Sequence, residues 1–252
     1  LERDINGDNH IDINDLEWKY LEGTGDFRSE EVTHLRDEAD IIITNPPFSL
    51  FREFMSWIME GNKQFVVIGH QNAITYKEIF PLIKNNQIWF GMGFKGGATH
   101  FISPYQDTAT AGDHKEGMIR VSGVVWFTNV EHGRRHQPMQ LMTMKDNLKF
   151  SKHKEIKEFG YLRYDNYDAI DVPFCDAIPS DFEGAMGVPI SFLDKYCPEQ
   201  FEIIGITEKE PENNSNTIDY LANLRIPNQP KYDRPYINGE RKYARILIRK
   251  KQ

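Results

Sequence analysis

The segment Asp40-Ile41-Ile42-Ile43-Thr44-Asn45-Pro46-Pro47-Phe48 constrains this chain more than any other stretch. A short continuous apolar run closed by a turn signal suits a strand buried on both faces of a parallel sheet. Beyond it, Ser49 is placed to N-cap a helix from about Leu50 to Met59. Phe51, Phe54, Met55 and Ile58 form its apolar stripe, and Gly61-Asn62 end it. Phe65-Val66-Val67-Ile68-Gly69 reads as a second buried strand. Tyr76 to Lys84 reads as a second helix, one that must tolerate Pro81, and Ile88-Trp89-Phe90 as a third strand. This alternation is the βαβ rhythm of an open α/β sheet. Upstream, Glu30 to Glu38 reads as a helix capped by Ser29, so the alternation is entered part-way and the first strands of the sheet are expected before Leu1.

From Gly91 the rhythm changes. Gly91, Gly93, Gly96 and Gly97 crowd a short stretch, and a polar loop from Ser103 to Gly117 precedes a β-rich run from Ile119 to Thr128. Residues Gly133 to about Asp181 carry clustered cations and tyrosines with weak periodicity. Phe201 to Ile206 and a hairpin-like Tyr236 to Arg249, turning at Asn238-Gly239, read as closing strands.

Composition narrows the function classes. With 39% hydrophobic and 27% charged residues the chain is an ordinary folded protein, but its net charge of −8 excludes holding nucleic acid by net charge alone. Any such surface has to be a local patch. Cys175 and Cys197 are too few for a disulfide framework, and no secretory or long apolar segment is present, so a reducing cytoplasm is expected and no membrane partner.

The tetrapeptide Asn45-Pro46-Pro47-Phe48 has a chemistry of its own. An adenine amine is a poor nucleophile because its lone pair is delocalised into the ring. A carboxamide oxygen and an adjacent backbone carbonyl, both accepting from the amine, gather that lone pair on nitrogen and aim it at a methyl sulfonium. Prolines fix φ and bring no N–H to compete for the acceptors, and an aromatic ring stacks on a base flipped from its duplex. The motif also lies at the carboxyl end of an expected buried strand, where open α/β sheets bind ligands. A proline-punctuated strand-to-helix turn is the bland alternative.

Several blocks carry a resemblance: Gly25-Asp26-Phe27-Arg28-Ser29, Thr44 to Glu53, Asn72-Ala73-Ile74-Thr75-Tyr76-Lys77-Glu78, Gly123 to Asn129, Ala185 to Pro189 and Tyr243 to Ile248. Together they resemble the EcoRI-type adenine-specific DNA methyltransferase family over nearly the whole chain. The resemblance implies a Rossmann-like methyltransferase core, S-adenosylmethionine as methyl donor, and double-stranded DNA as partner. Residues 1–91 would hold part of the catalytic core, and 92–252 the remaining core strands with a β-rich, loop-rich recognition region in one continuous domain. Asn45 and the carbonyl of Pro46 would polarise the target amine, Pro47 would stiffen the turn and Phe48 would stack on the flipped adenine. Asp26, with Phe27, would meet the cofactor's adenine; an ordinary turn before a helix is the other reading of Asp26. The loop that would cradle the cofactor's methionine end, and the acidic residue that would hold its ribose, are not visible before Asp26.

Other signals compete. Asp4, Asn6, Asp8, His10, Asp12 and Asp15 follow calcium-loop spacing, but Asn9 replaces the required Gly and Asp15 the bidentate Glu, so an Asx-rich turn is preferred. His132, Arg134, Arg135 and His136, with Lys145, Lys149, Lys152, Lys154, Lys157 and Arg163 among tyrosines, suit a DNA-facing segment. The histidines and cysteines give no metal signature. Asn-Pro-Pro-aromatic also suits methylation of a protein glutamine amide, and a non-catalytic DNA-binding remnant is a third reading.

Overall fold

The computed structural model describes residues 4–5, 7–10, 20–93, 99–107, 114–207, 220–227 and 234–251. Residues 1–40 form one compact unit and residues 41–252 another. No described helix is long and apolar enough to cross a membrane.

In the first unit, α1 (Glu30–Glu38) starts as its sequence predicts, with the Ser29 hydroxyl accepting the Val32 N–H at 3.3 Å. The Glu31 carboxylate reaches back to the N–H groups of Glu22 and Gly23, fixing the entering chain. Ahead of it, the Asp4 carboxylate accepts from Gly7 and Asn9, and Asp8 accepts the His10 N–H two residues on at 2.8 Å, which is an Asx-turn. Asn6, Asp12 and Asp15 of the calcium-like spacing lie outside the described residues.

The second unit is mixed α/β. Its first sheet is built from β1 (Ile41–Thr44), β2 (Gln64–His70), β3 (Trp89–Phe90) and β6 (Val124–Thr128), in the order β1-β2-β6-β3. β1 and β2 are parallel, while β6 runs antiparallel to both β2 and β3. β1, β2 and β3 therefore point the same way: the ends of β1 and β3, Thr44 and Phe90, lie level with Val67 and Phe127, and on the same side β2 runs on to His70, opposite Val124 at the start of β6. A hairpin of β4 (Thr99–Ile102) and β5 (Met118–Val121) rises between β3 and β6.

The helix α2 (Phe51–Glu60) buries Phe51, Phe54, Met55 and Ile58, the predicted stripe, and closes with Asn62 in the left-handed region. Phe51 packs on Phe127 with ring centroids 5.1 Å apart. Both rings press on Gly69, where a Cβ would come within 2.6 Å of Phe51 and 2.8 Å of Phe127. At the other end of β6, Thr128 donates to the Phe65 carbonyl at 2.5 Å, and Asn129 accepts from the Phe65 N–H and donates to Lys63.

Several expectations need correction. β1 is not buried on both faces: Ile41 is 47% and Ile43 70% exposed, so the face that these two share is left uncovered, and β1 is also the edge of its sheet, pairing among the described residues with β2 alone. Val66 and Ile68 in β2 are only half-buried. Ser49 does not cap α2, since the chain first winds a 3-10 turn over Phe48–Leu50, closed by Leu50 N–H to the Pro47 carbonyl at 3.0 Å. The second helix, α3 (Phe80–Lys84), is far shorter than expected and takes Pro81 into its first turn instead of its interior. Proline lacks the N–H that an interior position would need but fits the first turn, so residues 76–79 form a turn ahead of the helix, after a 3-10 segment at Gln71–Thr75. Gly96 and Gly97 lie outside the described residues.

Farther on come α4 (Met144–Phe150), α5 (Lys154–Phe159) and a second sheet of β7 (Ala169–Asp171), β8 (Ala185–Val188), β9 (Phe201–Ile206) and β12 (Ile246–Lys250), ordered β7-β8-β12-β9. The turn at Asn238-Gly239 does join a hairpin, β10 (Tyr236–Ile237) with β11 (Glu240–Arg241), both turn residues at positive φ. Arg249 belongs instead to β12, in the second sheet. That sheet is threaded by a buried network: the Tyr164 hydroxyl donates to Asp171 at 2.6 Å and Arg245 Nε donates to the same oxygen at 3.0 Å. Burial, with Asp171 alongside, drives the Tyr164 phenol well above its ordinary pKa. Gly187 is required beneath this ring, since a Cβ there would overlap the Tyr164 hydroxyl.

Candidate active site

The predicted catalytic residues follow the carboxyl end of β1, on the side of the sheet toward which β2 and β3 also point. Asn45 follows β1 directly and is exposed, Pro46 is buried, and Phe48 opens the 3-10 turn with 38% of its surface exposed. Pro47 has φ −58° and hands its carbonyl to Leu50. The Asn45 carboxamide and the Pro46 carbonyl take no hydrogen bond from the described residues, and Phe48 makes no ring contact with them. Two unengaged acceptors beside an unstacked aromatic ring are what a planar amine on a heteroaromatic base can use.

After β2, His70 Nδ1 accepts the Asn72 N–H at 3.1 Å and Gln71 N–H donates to Gly123 at 2.6 Å, joining the end of β2 to the start of β6. The Gln71–Thr75 turn is anchored by buried Ala73 and Ile74 and releases Tyr76 to the surface. Arg52, in the first turn of α2, lies over the Tyr76 ring with its guanidinium carbon 5.3 Å from the centroid. Sequence reasoning singled out neither residue for a role. The available signal was Arg52 one helical turn past Phe48; its partner becomes visible only once β1 and β2 pair.

Asp26 and Phe27 lie in the unit of residues 1–40, and Asn45 to Phe48 in the other. Phe27 is buried, 8% exposed. The Asp26 carboxylate accepts Arg28 Nε at 3.0 Å, Arg28 Nη2 at 2.7 Å and the Arg28 N–H at 2.9 Å. These side-chain and backbone bonds from Arg28 hold its pKa down at about 2. A carboxylate has about four lone-pair sites. Arg28 takes three here, so one acceptor on Oδ2 stays open, enough to receive one more donor.

The cationic segment is not the free cluster its sequence suggests. Arg135 is 4% exposed, stacked 3.6 Å over Trp89, paired with Glu131 at 2.8 Å and bonded to Asn86. It therefore braces β3 to the segment after β6 and does not face solvent. His132 uses Nε2 on the Phe90 carbonyl, and His136 contacts Glu199 through Nδ1 at 2.8 Å and Glu131 through Nε2 at 3.2 Å. Chiefly through the bond to Glu199, the His136 pKa is raised. Lys152 and His153 share Asp176, and Arg163 pairs with Asp168. Lys145, Lys154 and Lys157 are exposed on α4 and α5 and have no carboxylate partner among the described residues.

The family model described as adenine-specific methyltransferase EcoRI matches residues 1–251. The chain is 38% identical over 239 residues to the type II methyltransferase M.EcoRI of Escherichia coli, covering 91% of this chain and 63% of that protein. It is 35% identical over 238 residues to the type II methyltransferase M.MpnI of Mycoplasma pneumoniae, covering 92% of this chain and 70% of that one. The chain thus spans 63% of the length of M.EcoRI. No solved structure gives a significant match. With the model matched from end to end and a strand-end Asn45-Pro46-Pro47-Phe48 turn whose acceptors are open, the chain belongs to the EcoRI-type adenine-specific methyltransferase family.

Proposed function

We propose that this chain is the catalytic and recognition part of an adenine-specific DNA methyltransferase of the restriction-modification type. It would act in the cytoplasm on a flipped adenine in double-stranded DNA. The observation that carries the reading is the pair of unengaged acceptors, Asn45 and the Pro46 carbonyl, at the carboxyl end of β1. The target amine donates one N–H to each. Methyl transfer would form the C–N bond as the methyl–sulfur bond of the donor breaks and would leave the nitrogen to lose one proton to solvent; as charge leaves the amine the two acceptors hold its hydrogens more strongly, and the gain falls mainly in the transition state. Pro46 and Pro47 keep the turn from relaxing around the missing base, and Phe48 stacks on that base once it leaves the duplex.

Bound S-adenosylmethionine would supply the electrophilic methyl group. The core that holds it is read as Rossmann-like, from family membership and from the common direction of β1, β2 and β3. Asp26, anionic and with one acceptor to spare, is the residue of this chain suited to an adenine amine of the cofactor, beside Phe27. The division into a partial catalytic core over 1–91 and core strands with a recognition region over 92–252 goes with this reading. Lys145, Lys154 and Lys157, exposed on α4 and α5 and without a carboxylate partner among the described residues, suit contacts to phosphates.

The test is to sequence methylated adenines in DNA from a host expressing the native gene, beside the same host carrying Asn45→Ala. Wild type should mark one sequence context. The variant should lose about 10²–10³ of the rate in vitro, the loss typical for one such polar group. Retention of more than about a tenth of the rate would remove Asn45 from its role, and absence of marks from the wild type would leave the non-catalytic reading.

A further inference from the structure

Arg52 is the side chain at the site edge whose environment is least explained by folding. It is exposed, and it makes no ion pair and no side-chain hydrogen bond with the described residues. Among the described residues its guanidinium lies over the face of Tyr76. A long flexible cation loses rotamer freedom when held in this way, and a stack on an exposed ring contributes only about 0.5–1 kcal/mol. Yet both partners are anchored firmly. Phe51, next to Arg52, is 2% exposed and locked between Gly69 and Phe127. The Tyr76 backbone is bonded at both ends, its N–H to Ala73 and its carbonyl to Ile79 and Phe80.

A guanidinium held over a ring face keeps N–H donors that the ring does not use, and its planar fork matches two oxygens of a phosphate. The geometry points to Arg52, pre-oriented by Tyr76, as a phosphodiester-binding residue that grips the DNA strand carrying the target base, one helical turn from Phe48. A contact there fixes the register of the strand against the flipping site without reading its sequence. The inference rests on the DNA-methyltransferase reading and adds to it a positioning contact, distinct from Asn45 and Phe48.

The test is binding of a mixed-sequence duplex to the enzyme expressed from its native gene, measured across a salt series. One phosphate contact contributes about 0.9 to the slope of log K against log salt, so a fourfold rise in salt should weaken wild type about 3.5-fold more than Arg52→Gln. Arg52→Lys should keep the slope and lose affinity. Tyr76→Phe should behave as wild type, and Tyr76→Leu should keep the slope with weaker binding. Arg52 and Tyr76 are exposed, so melting temperatures should not move. An unchanged slope in Arg52→Gln, or a loss confined to one DNA sequence, overturns the phosphate assignment, and an unaffected Tyr76→Leu overturns the pre-orientation. Tritiated methyl transfer to DNA separates the two levels: wild-type transfer with an unchanged Arg52→Gln slope sinks this inference alone, whereas no transfer by wild type sinks the reading beneath it as well.

Discussion

The two four-stranded sheets divide the labour of the molecule. In the first, the most apolar strand of the sequence, β1, leaves Ile43 70% exposed and pairs on one side among the described residues. In the second, Ala185 to Val188 and Ile246 to Ile248 are wholly buried, β12 pairs on both sides, and the Tyr164–Asp171–Arg245 network is closed. The open sheet carries unengaged acceptors at its edge, and the closed sheet satisfies its polar groups internally. Groups left open cost stability but can bind, whereas a satisfied buried network stiffens a scaffold and offers a ligand nothing.

The sharpest way to break this comparison is Asp171→Ala. It strands the charge of Arg245 in a nearly buried place and should cost about 3–5 kcal/mol. Denaturant unfolding checks it, and a loss below about 1 kcal/mol, the scale of an exposed pair, would mean that the second sheet is no scaffold. Next, Phe48→Ala on the open side should leave unfolding unchanged but weaken retention of the flipped base by about 1–3 kcal/mol. A fluorescent base analogue at the target adenine reports it, and an undiminished flipped-base signal contradicts the stacking role.

His136 tests the joint between the two regions, because it links Glu131, after β6, to Glu199, before β9. Its folded pKa is raised, so its contribution to stability is complete below the ordinary imidazole value of about 6.5 and is lost as pH rises through the higher folded value. The melting temperature should fall modestly across that window, and the step should vanish in His136→Gln; an identical profile in the variant would show the link to be idle. The smallest effect is expected at β1. Ile43→Lys should change stability by no more than about 0.5 kcal/mol while suppressing any self-association through the open edge. Sedimentation velocity over a concentration series checks the second part, and a large destabilisation would show that β1 is covered after all.

The residues themselves determined what depends on near neighbours. The Ser29 cap, the apolar stripe of α2, the turn at Asn238-Gly239 and the Asn45-Pro46-Pro47-Phe48 turn at a strand end all follow from spacings of a few residues, and such spacings are written in the chain. Where a strong local signal competed with a weak one it also prevailed, as Pro81 did in cutting the second helix to five residues. Only the tertiary structure decided which strands became neighbours. β6 enters between β2 and β3 against their direction, and Asn129 bonds to Phe65 from 64 residues away. That pairing sets the fate of β1, whose apolar run says that it can be buried, while burial needs a second neighbour and a cover. It likewise turned Arg135 inward onto Trp89 and left Arg52 outward on Tyr76. The two arginines are alike in composition, and what separates them is the carboxylate and the ring that the fold brings within reach.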